Sequence, residues 1–155
     1  MPGIELRRAT PDDLESLMML LSDDAVSASR GDRAAEADRL AYERTLEEVR
    51  ADGSNDILVV QDARGALIGT MQLTRIPGTA RVGATRLQIE AVRVSTAHRS
   101  VGLGTAMMRW VLEVAAPASG ATLVQLTSDA QRGAAHRFYE RLGFVPSHVG
   151  FKRQM

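Results

Sequence analysis

The chain contains no cysteine, and only one tryptophan, two tyrosines and three phenylalanines in 155 residues. The missing cysteine excludes disulfides, thiolate metal sites and a cysteine nucleophile. Neither sign of charge is in excess: Lys and Arg total 19, as do Asp and Glu. A nucleic-acid binder normally carries a basic surplus, so no nucleic-acid partner is expected. No apolar run approaches the ~18 residues of a membrane span, and the N-terminus lacks the apolar core of a signal peptide. The expectation is a cytoplasmic protein without a membrane partner. His98, His136 and His148 show no ligand spacing such as H-E-x-x-H, so no metal is expected. There is no Gly-Lys-Ser/Thr of a Walker A loop and no G-x-S-x-G nucleophile elbow. Repeats, linkers and low-complexity segments are also missing. The length suits one domain, residues 1–155, with its own core.

What is present centres on Arg99-Ser100-Val101-Gly102-Leu103-Gly104. It follows an apolar strand, Leu87 to Val94, and precedes a helix beginning near Leu103. The first N–H groups of a helix have no intrahelical partner, and the helix dipole makes that end partly positive. Glycines remove side chains that would hold an anion away. The stretch is therefore a candidate phosphate or pyrophosphate site. Gly102 and Gly104 begin a dinucleotide fingerprint, but Met107 stands where its third glycine belongs.

A second stretch lies one strand and one helix later: Ala135-His136-Arg137-Phe138-Tyr139-Glu140-Arg141-Leu142-Gly143-Phe144. The pair R-x-x-G-x-G and A-x-x-F-Y-x-x-x-G-F, in this order, resembles the two signatures of the GNAT family of N-acetyltransferases. The opening, Ile4 to Leu14, reads like that family's first strand and helix, so the resemblance covers nearly the whole chain.

The resemblance implies an α+β fold, a mixed and mostly antiparallel sheet with helices on both faces. It implies acetyl-CoA as acyl donor. The N–H of Val92 would polarise the acetyl carbonyl, and Val94, after Arg93, would pair with the pantetheine. The main-chain N–H groups of Val101, Gly102, Leu103, Gly104 and Thr105 would receive the pyrophosphate, helped by Arg99. Ala135 and Phe138 belong to the cofactor-side helix, whose Tyr139 would reach the CoA sulfur and protonate the leaving thiolate. A phenol near pKa ~10 suits that role. Three departures stand out. Ser100 replaces a commoner glycine. Arg132 stands where many members have an asparagine, and would reach a CoA phosphate instead. The C-terminal strand is short, so the family's last two strands would be truncated.

Glu90 is the candidate general base. It lies two residues before Val92, and strand alternation predicts Glu90, Val92 and Val94 on one face, with the carboxylate partly desolvated. An edge glutamate, or one paired with Arg86 or Arg93, is the structural alternative.

Periodicity predicts strands over Ile4–Ala9, Ile57–Gln61, Ala66–Ile76, Ala84–Ser95 and Thr122–Thr127, with a final strand pair over about Phe144–Lys152. Helices are predicted after Thr10-Pro11-Asp12-Asp13, a capping-box variant, and over Ala34–Ala51, Leu103–Ala116 and Gly133–Leu142. Ser27–Asp32 reads as a polar connection. Met18 and Met19 are expected in the core, as are Leu103, Met107, Val111 and Val114.

The sequence thus reads as an acetyl-CoA-dependent N-acetyltransferase acting on a small-molecule primary amine, by direct attack in a ternary complex. A non-catalytic acyl-CoA sensor and a protein-lysine or N-terminal acetyltransferase are the alternatives. The acceptor is expected between the first two helices and the Pro77–Gly83 loop. There Arg75, Arg81 and Arg86 are either solvated surface charges or contacts for an acidic acceptor group. Family habit suggests a homodimer.

Overall fold

A computed structural model of the chain describes residues 3–23, 31 and 34–155. The Ser27–Asp32 connection falls almost wholly outside the described residues. Five strands form one sheet in sequential order: β1 (Glu5–Arg8), β2 (Asn55–Gln61), β3 (Leu67–Ile76), β4 (Arg86–Val94) and β5 (Leu123–Leu126). The first four are antiparallel neighbours, and β5 runs parallel to β4. A parallel pair needs a crossover. Here it is α3 (Leu103–Trp110), which continues through a π-helical turn (Val111–Ala115) into Ala116–Ala118. The other helices longer than one turn are α1 (Leu14–Ser22), α2 (Arg39–Ala51) and α4 (Gly133–Arg141) among the described residues.

The N-terminal turn forms as its residues dictate. Pro11–Asp13 is a 3-10 turn leading into α1. The Asp13 carboxylate accepts from the Thr10 N–H at 2.7 Å and from both terminal nitrogens of Arg7 at 2.7 and 2.8 Å. The Arg7 guanidinium, before the Thr10 bonds, holds the Asp13 carboxyl below the usual carboxylate range against the opposing effect of burial. The β2–β3 hairpin closes through Asp62, whose Oδ1 accepts the N–H groups of Arg64 and Ala66 at 2.9 Å.

The run Ile57-Leu58-Val59-Val60 feeds two cores because strand alternation sends neighbours to opposite faces. Leu58 and Val60 join Ile68, Leu73, Leu87 and Ile89 beneath Leu103, Met107, Met108 and Val111 of α3. Val59 and Ile57 join Ala9, Leu14, Leu17, Met18 and Leu46 beneath α1 and α2. Gly69 lets α3 approach the sheet, since a Cβ there would lie 3.1 Å from the Met107 sulfur.

Three expectations from the sequence fail. Met19 is 61% exposed, because only Met18 lies on the buried side of α1. Val114 is exposed too: the π-helical turn adds a residue to the helical period, and Ala116 takes the inward place. The predicted final strand pair is not formed. Residues 145–155 are irregular and exposed, with no strand to pair them.

Candidate active site

The site is built where β4 changes partners. From Arg86 to Ile89 it is bonded to β3 on one side and β5 on the other. Beyond Ile89 its pairing with β5 stops, while its pairing with β3 continues to Val94. One edge of Glu90–Val94 is therefore open, and the two parallel strands part like a fork.

A bulge sits in the fork. Gln72 pairs with Glu90 and Thr70 with Arg93, so Met71 alone opposes both Ala91 and Val92. Ala91 takes a left-handed conformation, φ 50°. The extra residue reverses the side-chain alternation. Leu87 and Ile89 face the α3 core, and after the bulge Val92 and Val94 pack against the same core. Glu90 is left on the opposite face and is exposed. The expectation that Glu90, Val92 and Val94 share a face, with the carboxylate partly desolvated, is thereby corrected. The Glu90 carboxylate makes no ion pair or hydrogen bond to another described residue, Arg86 and Arg93 included.

The loop that follows β4 forms the second part. Ser100 has φ 66° and Gly102, the N-cap of α3, has φ 87°. Left-handed residues beside a helix start turn successive N–H groups inward and make an anion-binding concavity. No side chain caps this end, and the first intrahelical bond of the segment is donated by Ala106 to the Gly102 carbonyl at 3.0 Å. The amides of Leu103, Gly104 and Thr105 are thus free of intrahelical partners. Buried Leu103 anchors the turn, while the Val101 side chain is exposed. Ser100 occupies a backbone region where glycine is easier, at a cost of about 1 kcal/mol. Arg99 sits at the base of the loop. Its guanidinium donates to the carbonyls of Val94 at 3.2 Å and Asp23 at 3.0 Å, tying the loop to the end of α1.

Helix α4 closes the third side. Phe138 reaches the start of α3, where a Cβ on Gly104 would lie 3.5 Å from its ring. The half-buried Tyr139 meets Phe138 and Phe144 edge-on, with centroids 5.1 and 5.9 Å away. Burial pushes its phenol pKa above the ordinary value, opposed by the nearby charges of Arg132 and Arg93. The Arg93 Nη1 also donates to the Val92 carbonyl at 3.0 Å. Arg132 is the N-cap of α4, and Ala135 is half-buried one turn on. The structure thus brings Val92, Arg93, Val94, Arg132 and Tyr139 together at the fork. Tyr139 and Glu90 sit on opposite faces of the sheet.

On the Glu90 face, a cavity of about 150 Å³ lies between α1, α2 and the sheet. Its walls are Leu17, Leu21, Tyr42, Leu46 and Ile57, and Thr70, Gln72 and Ala91 reach it from the strands. Glu90 follows Gln72 across the ladder and precedes Ala91, which puts it at the edge of this space. Tyr42 and Thr45 were missed in the sequence, although their spacing with Leu46 and Val49 marks one face of α2. Arg75, Arg81 and Arg86 do not line the cavity, and the Arg75 Nε donates to the Ser119 carbonyl at 2.9 Å. Sequence reasoning also missed a polar row on this face. Asn55, Thr74, Gln88 and Gln125 stand side by side, with Thr74 donating to Asn55 at 2.6 Å and Gln125 to Gln88 at 2.7 Å.

Residues 15–144 match the model of the acetyltransferase (GNAT) family. The chain belongs to this family. A solved structure described as a transcriptional regulator from Bacillus halodurans C-125 is 36% identical, with a TM-score of 0.92 over 98% of this chain and 99% of that one. An acetyltransferase from Trypanosoma brucei is 24% identical with a TM-score of 0.79, covering 98% and 99% of the two chains. Glucosamine-6-phosphate N-acetyltransferase from Arabidopsis thaliana is 18% identical with a TM-score of 0.77, covering 97% of each. The last two share the fold at an identity too low to carry more. Comparison with curated protein sequences returns no match. As a GNAT acetyltransferase the chain is an acyl-transfer protein. No helix among its described residues is long and apolar enough to cross a membrane.

Proposed function

We propose that this GNAT protein transfers the acetyl group of acetyl-CoA to a primary amine by direct attack within a ternary complex. The observation that carries the reading is the fork: β4 loses β5 as a partner after Ile89, immediately before an uncapped helix start with left-handed Ser100 and Gly102. An extended pantetheine arm fits the open edge of Val92–Val94, and a pyrophosphate fits the amides from Val101 to Thr105. The residues present therefore suit the donor, which supplies a thioester.

The chain's own groups then divide the work. The Val92 N–H polarises the acyl carbonyl, as a fixed dipole aimed where negative charge develops. Glu90, on the acceptor face, takes the amine proton directly or through water. Tyr139, held protonated by its burial, hands a proton to the departing thiolate from the other face. The fork lets both faces reach one reacting centre. The small apolar cavity beside Ala91 supports a small-molecule amine with an apolar group, in preference to the acidic acceptor that the three arginines suggested.

A non-catalytic acyl-CoA sensor is the second reading, favoured by the description of the Bacillus halodurans structure as a transcriptional regulator. Calorimetry with acetyl-CoA and a free-thiol assay over a panel of amines test both. Acetyl-CoA binding in the micromolar range, about −8 kcal/mol, with amine-dependent thiol release is the expected result. No stabilisation by millimolar CoA removes the donor site, since saturation at 100 times Kd should add about 2.7 kcal/mol. Binding without turnover on any amine selects the sensor.

A further inference from the structure

Gln72 of β3 has one end of its side-chain amide engaged and the other without a donor. Its Nε2 donates to the Asn55 Oδ1 at 3.3 Å. Its Oε1 accepts from no described residue. An amide can turn either end to a neighbour, so its partners decide the orientation. Here they do so in a chain. Asp52, in the turn after α2, accepts from the Ser54 N–H at 2.8 Å and from the Ser54 hydroxyl at 2.7 Å. Its other oxygen accepts from the Asn55 Nδ2 at 2.7 Å. The Ser54 hydroxyl, then the Ser54 N–H and the Asn55 amide, hold the Asp52 carboxyl below the usual carboxylate range. An ionised carboxylate only accepts, so Asn55 gives it the NH2 end and turns Oδ1 toward β3. That oxygen takes the Thr74 hydroxyl at 2.6 Å and the Gln72 Nε2. The end of Gln72 left over is therefore the carbonyl oxygen.

Gln72 lines the cavity between α1, α2 and the sheet, where it is the one side-chain carbonyl among the described residues of the wall. The Thr70 hydroxyl in the same wall already donates to the Leu58 carbonyl at 2.8 Å. Gln72 stands across the ladder from Glu90. Directly opposed side chains share a face, with Cβ atoms about 5 Å apart. The Glu90 carboxylate has no donor among the described residues either. Two hydrogen-bond acceptors thus stand side by side at the cavity edge. A ligand group that satisfies both brings at least two donors. A primary ammonium brings three, and a hydroxyl brings one.

We infer that Gln72 holds the incoming amine and selects it over an alcohol, its Oε1 accepting one N–H while Glu90 takes another. This role presupposes the catalytic reading of Glu90 proposed above. Glu90 takes the first ammonium proton and passes it to solvent. The freed lone pair forms the C–N bond, the C–S bond breaks, and sulfur takes the Tyr139 proton. The second proton that nitrogen sheds replaces, through solvent, the one Tyr139 gave. Gln72 gains and loses no proton. It keeps one N–H throughout, which fixes the direction of the lone pair. That N–H survives in the amide product. An alcohol gives its only proton to Glu90 and leaves Gln72 unpaired, a costly state in a half-buried site.

The probes are n-alkylamines from propyl to hexyl as acceptors and the matching 1-alkanols as inhibitors, with the full chain and acetyl-CoA. Gln72→Met keeps the length and removes the acceptor atom. Its kcat/KM for the amine should fall about tenfold, carried by KM, while the alkanol Ki holds or tightens and the acetyl-CoA Kd stays within about twofold. Asn55→Leu releases the Gln72 amide. It should raise the amine KM by a smaller factor and add nothing in the Gln72→Met background. An amine KM that Gln72→Met leaves unchanged overturns the inference while the acetyltransferase reading stands. An equal loss for amine and alkanol also overturns it, since that marks a reshaped cavity. Additive losses in the double variant overturn the part assigned to Asn55. A wild type that acetylates other amines but no n-alkylamine overturns the inference alone, and one that acetylates no amine removes the catalytic reading with it.

Discussion

The two halves of β4 each mix apolar and polar residues, and their fates are opposite. Arg86–Ile89 is paired on both sides, and its Leu87 and Ile89 are 3% and 1% exposed. Glu90–Val94 is paired on one side, contains the bulge at Ala91, and holds no fully buried side chain. The first half is a core strand. The second leaves one backbone edge without a strand and the Glu90 carboxylate exposed. The comparison teaches that a single strand can serve as scaffold and as site when one partner ends before it does. A sheet bonded throughout would be more stable and would have no room for an extended substrate.

The largest effect expected is in the scaffold half. Ile89→Ala should lower stability by about 3 kcal/mol, through lost burial and the cavity left under α3. Denaturant unfolding measures it, and acetyl-CoA affinity of the folded fraction should hold. A loss of affinity equal to that of a fork mutation would erase the distinction between the halves.

One residue further on, Glu90→Gln should do the reverse: kcat falls ~10²-fold while stability and CoA affinity stay near wild type. The deficit should shrink at high pH, where the amine loses its proton unaided. Steady-state kinetics from pH 7 to 10 check this, and an unimpaired rate at pH 7 would make Glu90 a surface charge.

Tyr139→Phe sharpens the contrast from the opposite face. Its kcat should drop ~10-fold or more, with about 1 kcal/mol or less of stability lost. The substitution also changes the alkaline limb of the stability curve. Because the folded phenol has the higher pKa, its contribution is complete below the unfolded value near ~10 and is lost as pH rises through the folded value. Wild type should therefore lose stability above pH ~10 faster than the mutant, as thermal melts at pH 9 to 11 will show.

The smallest effect is at the loop that ends the open half. Ser100→Gly should raise stability by about 1 kcal/mol by relieving a left-handed serine, with little change in kcat. A destabilised variant would mean that the hydroxyl carries a contact of its own.

Much of this was legible locally. Apolar alternation located β1 to β5 within a residue or two. Thr10, Pro11 and Asp13 announced the entry to α1, Asp62 and Gly65 the hairpin, and Gly102 the start of α3. Each depends on neighbours in sequence, through capping, turn geometry and side-chain period. The expectation that Ser100 fills a glycine position also came true, since φ 66° is a demand of the loop. What stayed hidden depends on residues far apart in the chain. The sequence showed Glu90 two places before Val92, and only a mismatch with Met71, on another strand, reverses its face. Val114 fits the stripe of Leu103 and Val111 until a π-helical turn shifts the register. The tail has a strand's pattern, but a strand exists only where backbone partners are in place, and residues 145–155 pair with no strand.

The sequence by itself determined the five strands, the entry to α1 and the glycine-marked start of α3, because periodicity and backbone preference act over a few residues. Tertiary structure alone decided the residue at which the fork opens, the face that Glu90 presents and the cavity between α1 and α2. These arise from where β5 stops and how β3 and β4 are registered, which are balances of packing and hydrogen bonding between segments that the chain order does not reveal.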